Sequence, residues 1–328
     1  MARPPTTTAE PATTPASTTT ATLKPPKEKF SHSPWVRYRS LLVLLLPGVA
    51  YFLIFRFWPM WGAQIAFRNY VPFLGIQGSQ WVGWTHFVDF FTNPDFPRLL
   101  VNTLILAALK MLIAFPLTIV VALLLNEIRL SILKRTVQTL VYIPHFLSWT
   151  VTVSLTALLF AIGTGPMSTL LDTFQSGTTN YMADPNWFRW LILLQWVWKD
   201  TGWGTIIFLA ALAGVDQEQY EAAVIDGAGR WARMWHITLP SIQGTIIVLL
   251  ILRTGELLNT GFEQIYLMSN ALNRTVADVF DTYVYITGIQ QGAYSYSTAV
   301  GLSKAIVGVV LIFGTNWLAK RFGQAGIF

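Results

Sequence analysis

An all-α membrane protein that crosses the bilayer six times is the fold class this sequence predicts, and three observations carry that reading. Of the 328 residues, 53% are hydrophobic and 12% charged, about half the charged share of an ordinary soluble domain. The apolar residues fall in runs near or above the roughly 20 residues that a bilayer core demands. Lys and Arg gather in alternate connections between those runs, as they do when every second connection is cytoplasmic.

Residues 1–35 are a Thr/Pro/Ala-rich tail, too poor in apolar side chains to fold, and are expected to be disordered. Lys24, Lys27, Lys29, Arg37 and Arg39 then precede the first apolar run. No A-x-A site follows that run, so it reads as a retained span and not as a cleaved signal. Spans are predicted at 40–59, 99–126, 138–162, 188–213, 241–262 and 297–319. With the N-terminus inside, thirteen Lys and Arg fall in cytoplasmic segments, against three (Arg68, Arg98 and Arg274) outside. Both termini are therefore expected to be cytoplasmic. Pro47, Pro116 and Pro144 lie inside spans and predict bends. The segment 60–98 is rich in aromatics and in turn residues, which suits either a small cap or an interfacial belt. The net charge of +6 follows from this topology, so lipid and not nucleic acid is the expected partner of the basic residues. The absence of cysteine excludes disulfides and thiol catalysis.

The connection 214–240 between the fourth and fifth spans is the most specific part of the chain. Asp216 suits a helix N-cap with Gln219 in the capping-box position, so a helix is expected over 217–226, roughly 15 Å long. Ala222 and Ala223 keep one face thin for close approach. Gly227 and Gly229 are expected to end the helix in a left-handed turn, and Pro240 to start the fifth span. The fixed positions Glu221, Ala222, Ala223, Gly227, Ile237, Leu239 and Pro240 resemble the EAA loop of bacterial ATP-binding-cassette (ABC) importers. Seven such matches arise by chance about once in 10^8 windows at ordinary residue frequencies.

The resemblance extends from about residue 36 to the end and is to binding-protein-dependent sugar permeases, in the subgroup that imports oligosaccharides such as alginate and pectin fragments. Leu46-Pro47-Gly48, Trp81-Val82-Gly83, Tyr142-Ile143-Pro144-His145, Trp198-Lys199-Asp200 and Tyr294-Ser295-Tyr296 carry it. The Gly-Gly-Pro element of many sugar permeases is replaced by Met268-Ser269-Asn270-Ala271-Leu272. The resemblance implies a transmembrane domain over 36–328 of the type I ABC importer kind, with 214–240 as a cytoplasmic coupling loop. It implies two ATPase subunits, a second permease in a heterodimer and an extracytoplasmic solute-binding protein, all at the bacterial cytoplasmic membrane. By the same resemblance Glu221 contacts the ATPase, Ala222 and Ala223 pack closely against it, and Gly227 lets the helix seat. ATP and Mg would belong to the ATPase, with no cofactor on this chain.

Ionisable residues inside spans are costly and mark paths or internal pairs. Arg253, Glu256, Thr260 and Glu263 are spaced to share one face of a fifth-span helix. Gln195 and Lys199 share a face of the fourth beside Trp198. Gln195, Trp198, Lys199, Arg253 and Glu256 are accordingly expected to line a path for a carbohydrate, whose hydroxyls need polar partners and whose ring faces stack on aromatics. Internal pairing of Arg253 with Glu256 is the competing reading. No P-loop, H-E-x-x-H or G-x-S-x-G occurs, and the four histidines read as structural, so a transport subunit and not an enzyme is expected. Asn273-Arg274-Thr275 matches a glycosylation acceptor and carries little weight. The alternative function is an ATP-independent secondary transporter or channel for a polar solute, which would favour internal repeats with broken helices. No convincing half-chain repeat is present.

Overall fold

The computed structural model describes residues 38–174 and 177–321. The 1–35 tail and the last seven residues lie outside them. Two units are distinguished, Met1–Trp58 and Pro59–Phe328. The described part of the first is a helix, Arg39–Phe52, with Pro47 inside it, followed by a π-turn at Leu53–Phe57. Its side chains Leu44, Leu46 and Phe55 are exposed, as lipid-facing residues are.

The second unit is built around one helix, Pro185–Ala213, 29 residues long. Pro185 occupies its first turn, and the Asp184 carboxylate accepts from the Asn186 N–H at 2.8 Å, so the start is fixed by local rules alone. Near its beginning the helix packs Phe188, Leu191 and Ile192 against Phe160, Tyr181, Ile265 and Val279. Near its end Phe208 and Leu212 meet Ala122, Leu123 and Ile242. Its middle carries Gln195, Lys199, Asp200, Thr201 and Thr205, and these polar residues lower its apolarity relative to the other spans.

Three stretches are long and apolar enough to cross a membrane as they stand: Arg39–Phe67, Phe96–Glu127 and Tyr294–Arg321. Two further spans are bent pairs. Ser131–Phe146 turns by 103° into Trp149–Leu159, and Arg230–Ser241 turns by 59° into Gln243–Gly255. With Pro185–Ala213 they complete the six expected segments.

The bends correct the sequence reading in four places. The segment 138–162 is not one rod: it breaks at Leu147 and Ser148, where Leu147 is extended and the Ser148 hydroxyl caps the new helix. The helix of the fifth span ends at Gly255, so 241–262 is not continuous, and Arg253, Glu256, Thr260 and Glu263 do not share a helical face. Pro240 lies inside the helical segment before that span and does not start it. Gly229 is not left-handed: its φ of −67° and ψ of 170° make it the extended residue before the helix Arg230–Arg233.

The prolines act through the turn before them. Among the described residues four π-turns occur, and three of them, Leu53–Phe57, Lys110–Ala114 and Met234–Thr238, end two residues before Pro59, Pro116 and Pro240. A proline lacks the N–H that would reach back four residues, and its ring crowds that carbonyl. Widening the preceding turn relieves both problems without ending the helix.

The 60–98 segment is a folded cap. Trp61–Phe67 forms a 3-10 helix, Arg68–Asn69 pairs antiparallel with Gln80–Trp81, and Thr85–Thr92 is helical. Phe67 stacks on Trp81 at 5.7 Å, and Phe87 packs with Ala66 against Ala299 of the last helix. The Tyr70 N–H donates to Ser295 Oγ at 2.9 Å, which ties the cap to the start of Tyr294–Arg321. Asn273 is fully buried, its amide donating to the carbonyls of Met182 and Met268, so the glycosylation match is a structural turn.

Gly202 lets the fourth span touch the third: a Cβ there would overlap the Val141 carbonyl oxygen. Gly244, also helical, has open space around it. Gly202→Ala is expected to destabilise the purified protein by about 1–3 kcal/mol through overpacking, whereas Gly244→Ala leaves the melting midpoint unchanged or slightly raised. Thermal unfolding of the two variants checks the contrast.

Candidate functional site: an exposed helix and a polar cavity

Two places combine special geometry with functional chemistry. The first is the helix Gln217–Ile225, none of whose residues is buried. Asp216 caps it by accepting from the Glu218 N–H at 3.0 Å. Its end is a Schellman motif: Gly227 N–H donates to Val224 O at 3.0 Å and Ala228 N–H to Ala223 O at 2.8 Å, with Gly227 at φ +77°. Glu221 and Ala222 are exposed and Ala223 is half-buried. The Tyr220 hydroxyl meets Thr238 Oγ1 at 2.9 Å, and Tyr220, Ile237 and Leu239 pack against the core formed by Phe208, Leu212, Val215 and Ile242. Ile237 and Leu239 thus anchor the helix, while Pro240, exposed, sets the π-turn before it. Val224 and Ile225 are exposed on this helix, an unusual apolar surface for a helix outside the bundle, and Trp231 and Trp235 of the following segment are exposed as well.

The second place is a cavity of about 240 Å³. Lys110 reaches it from the second span, Trp149 from the break in the third, Trp196 and Asp200 from the fourth, and Arg253, Glu256, Asn259 and Gly261 from the fifth and its unwound extension. The Trp196 ring is shared by two cations: Arg253 Cζ lies 5.6 Å and Lys110 Nζ 5.9 Å from its centre. Arg253 and Glu256 are both exposed to this space and form no ion pair with each other among the described residues. The cavity therefore offers two cations, carboxylates, an amide and an aromatic face together.

Of the five residues expected to line a path, Arg253 and Glu256 reach the cavity and three do not. Gln195 is buried, donating to Thr156 Oγ1 at 2.8 Å and accepting from Gln264 at 3.0 Å. Lys199 is buried with its ammonium on the His145 carbonyl at 2.6 Å and 5.3 Å from the Trp149 ring. Trp198 is 45% exposed and is not among the residues that line the cavity. The spacing that put Gln195 and Lys199 on one face was sound, but that face meets the third span and the helix Phe262–Met268. The cavity side of the same helix carries Trp196 and Asp200, also four residues apart. Lys110, isolated in an apolar run, was the visible signal for this side. His145, a structural histidine as expected, donates from Nδ1 to Asp200 at 2.9 Å and stacks on Trp203 at 4.5 Å.

The family model described as binding-protein-dependent transport system inner membrane component matches residues 114–324. Protein LplB of Bacillus subtilis strain 168 is 60% identical over 292 residues, covering 89% of this chain and 92% of LplB. The polygalacturonan/rhamnogalacturonan transport system permease protein YteP of the same organism is 52% identical, covering 89% and 91%. Among solved structures, a chain of a bacterial alginate ABC transporter in complex with an alginate pentasaccharide-bound periplasmic protein superposes with a TM-score of 0.82 at 35% identity, covering 89% of this chain and 98% of that one.

At Gly227 an L-residue has room but not the backbone: a Cβ added there would meet nothing within 4 Å, yet φ is +77°. Gly227→Ala is expected to cost about 1–2 kcal/mol locally, the penalty of a left-handed L-residue, and to speed amide exchange across 217–228. Gly229→Ala, at φ −67°, gives a smaller change. Hydrogen exchange followed by mass spectrometry reads both.

Proposed function

Because the chain belongs to the family of binding-protein-dependent transport system inner membrane components, we propose that it forms the membrane core of an oligosaccharide importer together with a second, different permease. The chain is a permease subunit of an ABC importer and not an enzyme. In this reading two ATPase subunits dock on its cytoplasmic side and carry the ATP and Mg, an external binding protein delivers the sugar, and both termini are cytoplasmic. The host membrane is the bacterial cytoplasmic membrane.

The observation that carries the reading is the exposed, doubly capped helix Gln217–Ile225. Glu221 and Ala222 on its open side, with Val224 and Ile225 beside them, suit the groove of a soluble partner. Tyr220, Ile237 and Leu239 fix the other side to the bundle, so force applied to Glu221 passes to the spans. A gradient-driven carrier has no use for such a helix. The cavity supports the sugar: Trp196 offers a ring face, while Lys110, Arg253, Glu256 and Asn259 offer donors and acceptors. Two similar proteins are named for transport of polygalacturonan/rhamnogalacturonan and of the acidic polysaccharide alginate, which favours an oligosaccharide over a monosaccharide. Arg253 and Glu256 are assigned to the path, whereas Gln195, Lys199 and Trp198 act as bracing or surface residues.

Two outcomes test this reading. A cysteine replacing Glu221 in this cysteine-free chain is expected to react with impermeant reagents only from the cytoplasmic side, and Glu221→Lys to leave the spans folded while reducing sugar-stimulated ATP hydrolysis about tenfold or more, the scale of losing one charged contact. External labelling, or normal uptake with normal ATPase co-purification, overturns the docking assignment. Arg253→Ala and Glu256→Gln are expected to assemble normally and lower uptake at least several-fold, on the scale of one or more lost substrate hydrogen bonds. Unchanged uptake in both removes them from the path.

A further inference from the structure

The cavity wall contributed by the fifth span is only partly helical: Arg253 lies in the helix and the rest does not. The helix stops at Gly255 and resumes at Phe262, and the residues between bring Glu256, Asn259 and Gly261 to the cavity. An unwound stretch at membrane depth holds its shape only if other groups satisfy its peptides. Here one residue is gripped through both of its backbone groups, which belong to two successive peptides. The Thr260 carbonyl accepts from Lys110 Nζ at 2.5 Å, and the Thr260 N–H donates to Asp281 Oδ2 at 3.3 Å. The other oxygen of Asp281 is paired with Lys304 of the last helix. Gly261, at φ +92°, has the backbone that follows this grip, and a Cβ there would lie 3.4 Å from Lys110 Nζ. Thr260 itself is 1% exposed, and its hydroxyl has no hydrogen-bond partner. Its side chain is therefore not what holds the segment.

We propose that Asp281 and Lys304, which do not line the cavity, are positioning residues that set oligosaccharide selectivity by clamping the Thr260 backbone opposite Lys110. The clamp fixes where Glu256 and Asn259 stand. A looser clamp admits more chain geometries at the cavity. The proposal rests on the reading of the cavity as the sugar path, but its structural half is tested without sugar.

The experiment uses the assembled importer with Thr260→Cys, the one cysteine in this chain, which keeps the backbone and exchanges an unbonded hydroxyl and a methyl group for a thiol. The rate of modification by a methanethiosulfonate reagent, without sugar, reads opening of the segment. Asp281→Ala is expected to raise that rate about tenfold, the ratio set by losing one charged hydrogen bond, with substrate-free ATPase activity unchanged. The swap Asp281→Lys with Lys304→Asp rebuilds the ion pair but not the acceptor for Thr260 N–H, so the rate is expected to stay high. An unchanged rate in Asp281→Ala, or full restoration by the swap, overturns the clamp in favour of a simple helix brace. If Asp281→Ala does not assemble, Lys304→Met, which leaves the acceptor in place, is expected to raise the rate by a smaller factor, and no change there overturns the proposal. Preference between a short and a long oligosaccharide in stimulated ATPase assays is then expected to flatten in Asp281→Ala. A raised labelling rate with unaltered preference overturns the selectivity half alone, and separates failure of the path reading from failure of the clamp.

Discussion

A peptide group freed at a helix break inside a bilayer has no water to turn to, and the arrangement of this protein follows from how that demand is met. Two of the breaks have a named side chain on them. Lys199 takes the His145 carbonyl where the third span turns by 103°. Lys110 takes the carbonyl and Asp281 the N–H of Thr260 where the fifth span unwinds. Asn102 donates to the carbonyls of Thr275, in the short helix Arg274–Ala277, and of Asp278, which follows that helix. Lys110, Lys199 and Asn102 are committed to backbone in this way, while Arg189, Gln195, Asp200 and Lys304 pair with other side chains. Arg253 and Glu256 are left facing open space, which is why they and not Lys199 belong with the cavity.

The parts of the fold governed by local rules were legible in the sequence. Apolar runs located Phe96–Glu127, Pro185–Ala213 and Tyr294–Arg321 to within three residues at each end, and Asp216 and Gly227 marked the ends of the exposed helix, because capping and left-handed turns depend on immediate neighbours. Breaks were not legible. Hydropathy along 138–162 is the same whether the chain runs straight or turns by a right angle at Leu147, and Pro144 fixes neither the angle nor the partner. The partner is Lys199, more than fifty residues away, and it binds a carbonyl, which has no letter in the sequence. The spacing of Gln195 and Lys199 correctly placed them on one face, but no periodicity says which face looks at a cavity and which at a neighbouring helix.

The helix Pro185–Ala213 joins the two candidate sites. Trp196 and Asp200 stand on the cavity, and its last turn runs through Gly214 and the buried Val215 directly into the Asp216 cap. Its 29 residues make a rod of about 44 Å, and Gly202 and Gly204 let it lie against the third and second spans with almost no side chain between. Displacement of the exposed helix therefore reaches the cavity wall through one unbroken element, with the π-turn at Met234–Thr238 as the more compliant return path.

The π-turn at Lys110–Ala114 has a consequence for how this chain tolerates changes of length. One extra residue in a turn rotates everything beyond it by about 100°. Before the turn, the second span offers Leu99, Asn102 and Thr103 to the segment 275–280; beyond it, Thr118 meets Gly204 and Ala122 and Leu123 meet Phe208 and Leu212. The helix changes stripe at the spot where the added residue sits, and it meets the helix Pro185–Ala213 on both sides of that spot, through Leu106 before it and Thr118 beyond it. A chain shortened by one residue between 110 and 114 would keep its hydropathy, its proline and very nearly its length. It would nonetheless present the wrong side of residues 115–127 to the helix that they now pack against. Alignments that treat a one-residue gap here as trivial would join proteins whose second spans present different stripes to their neighbours.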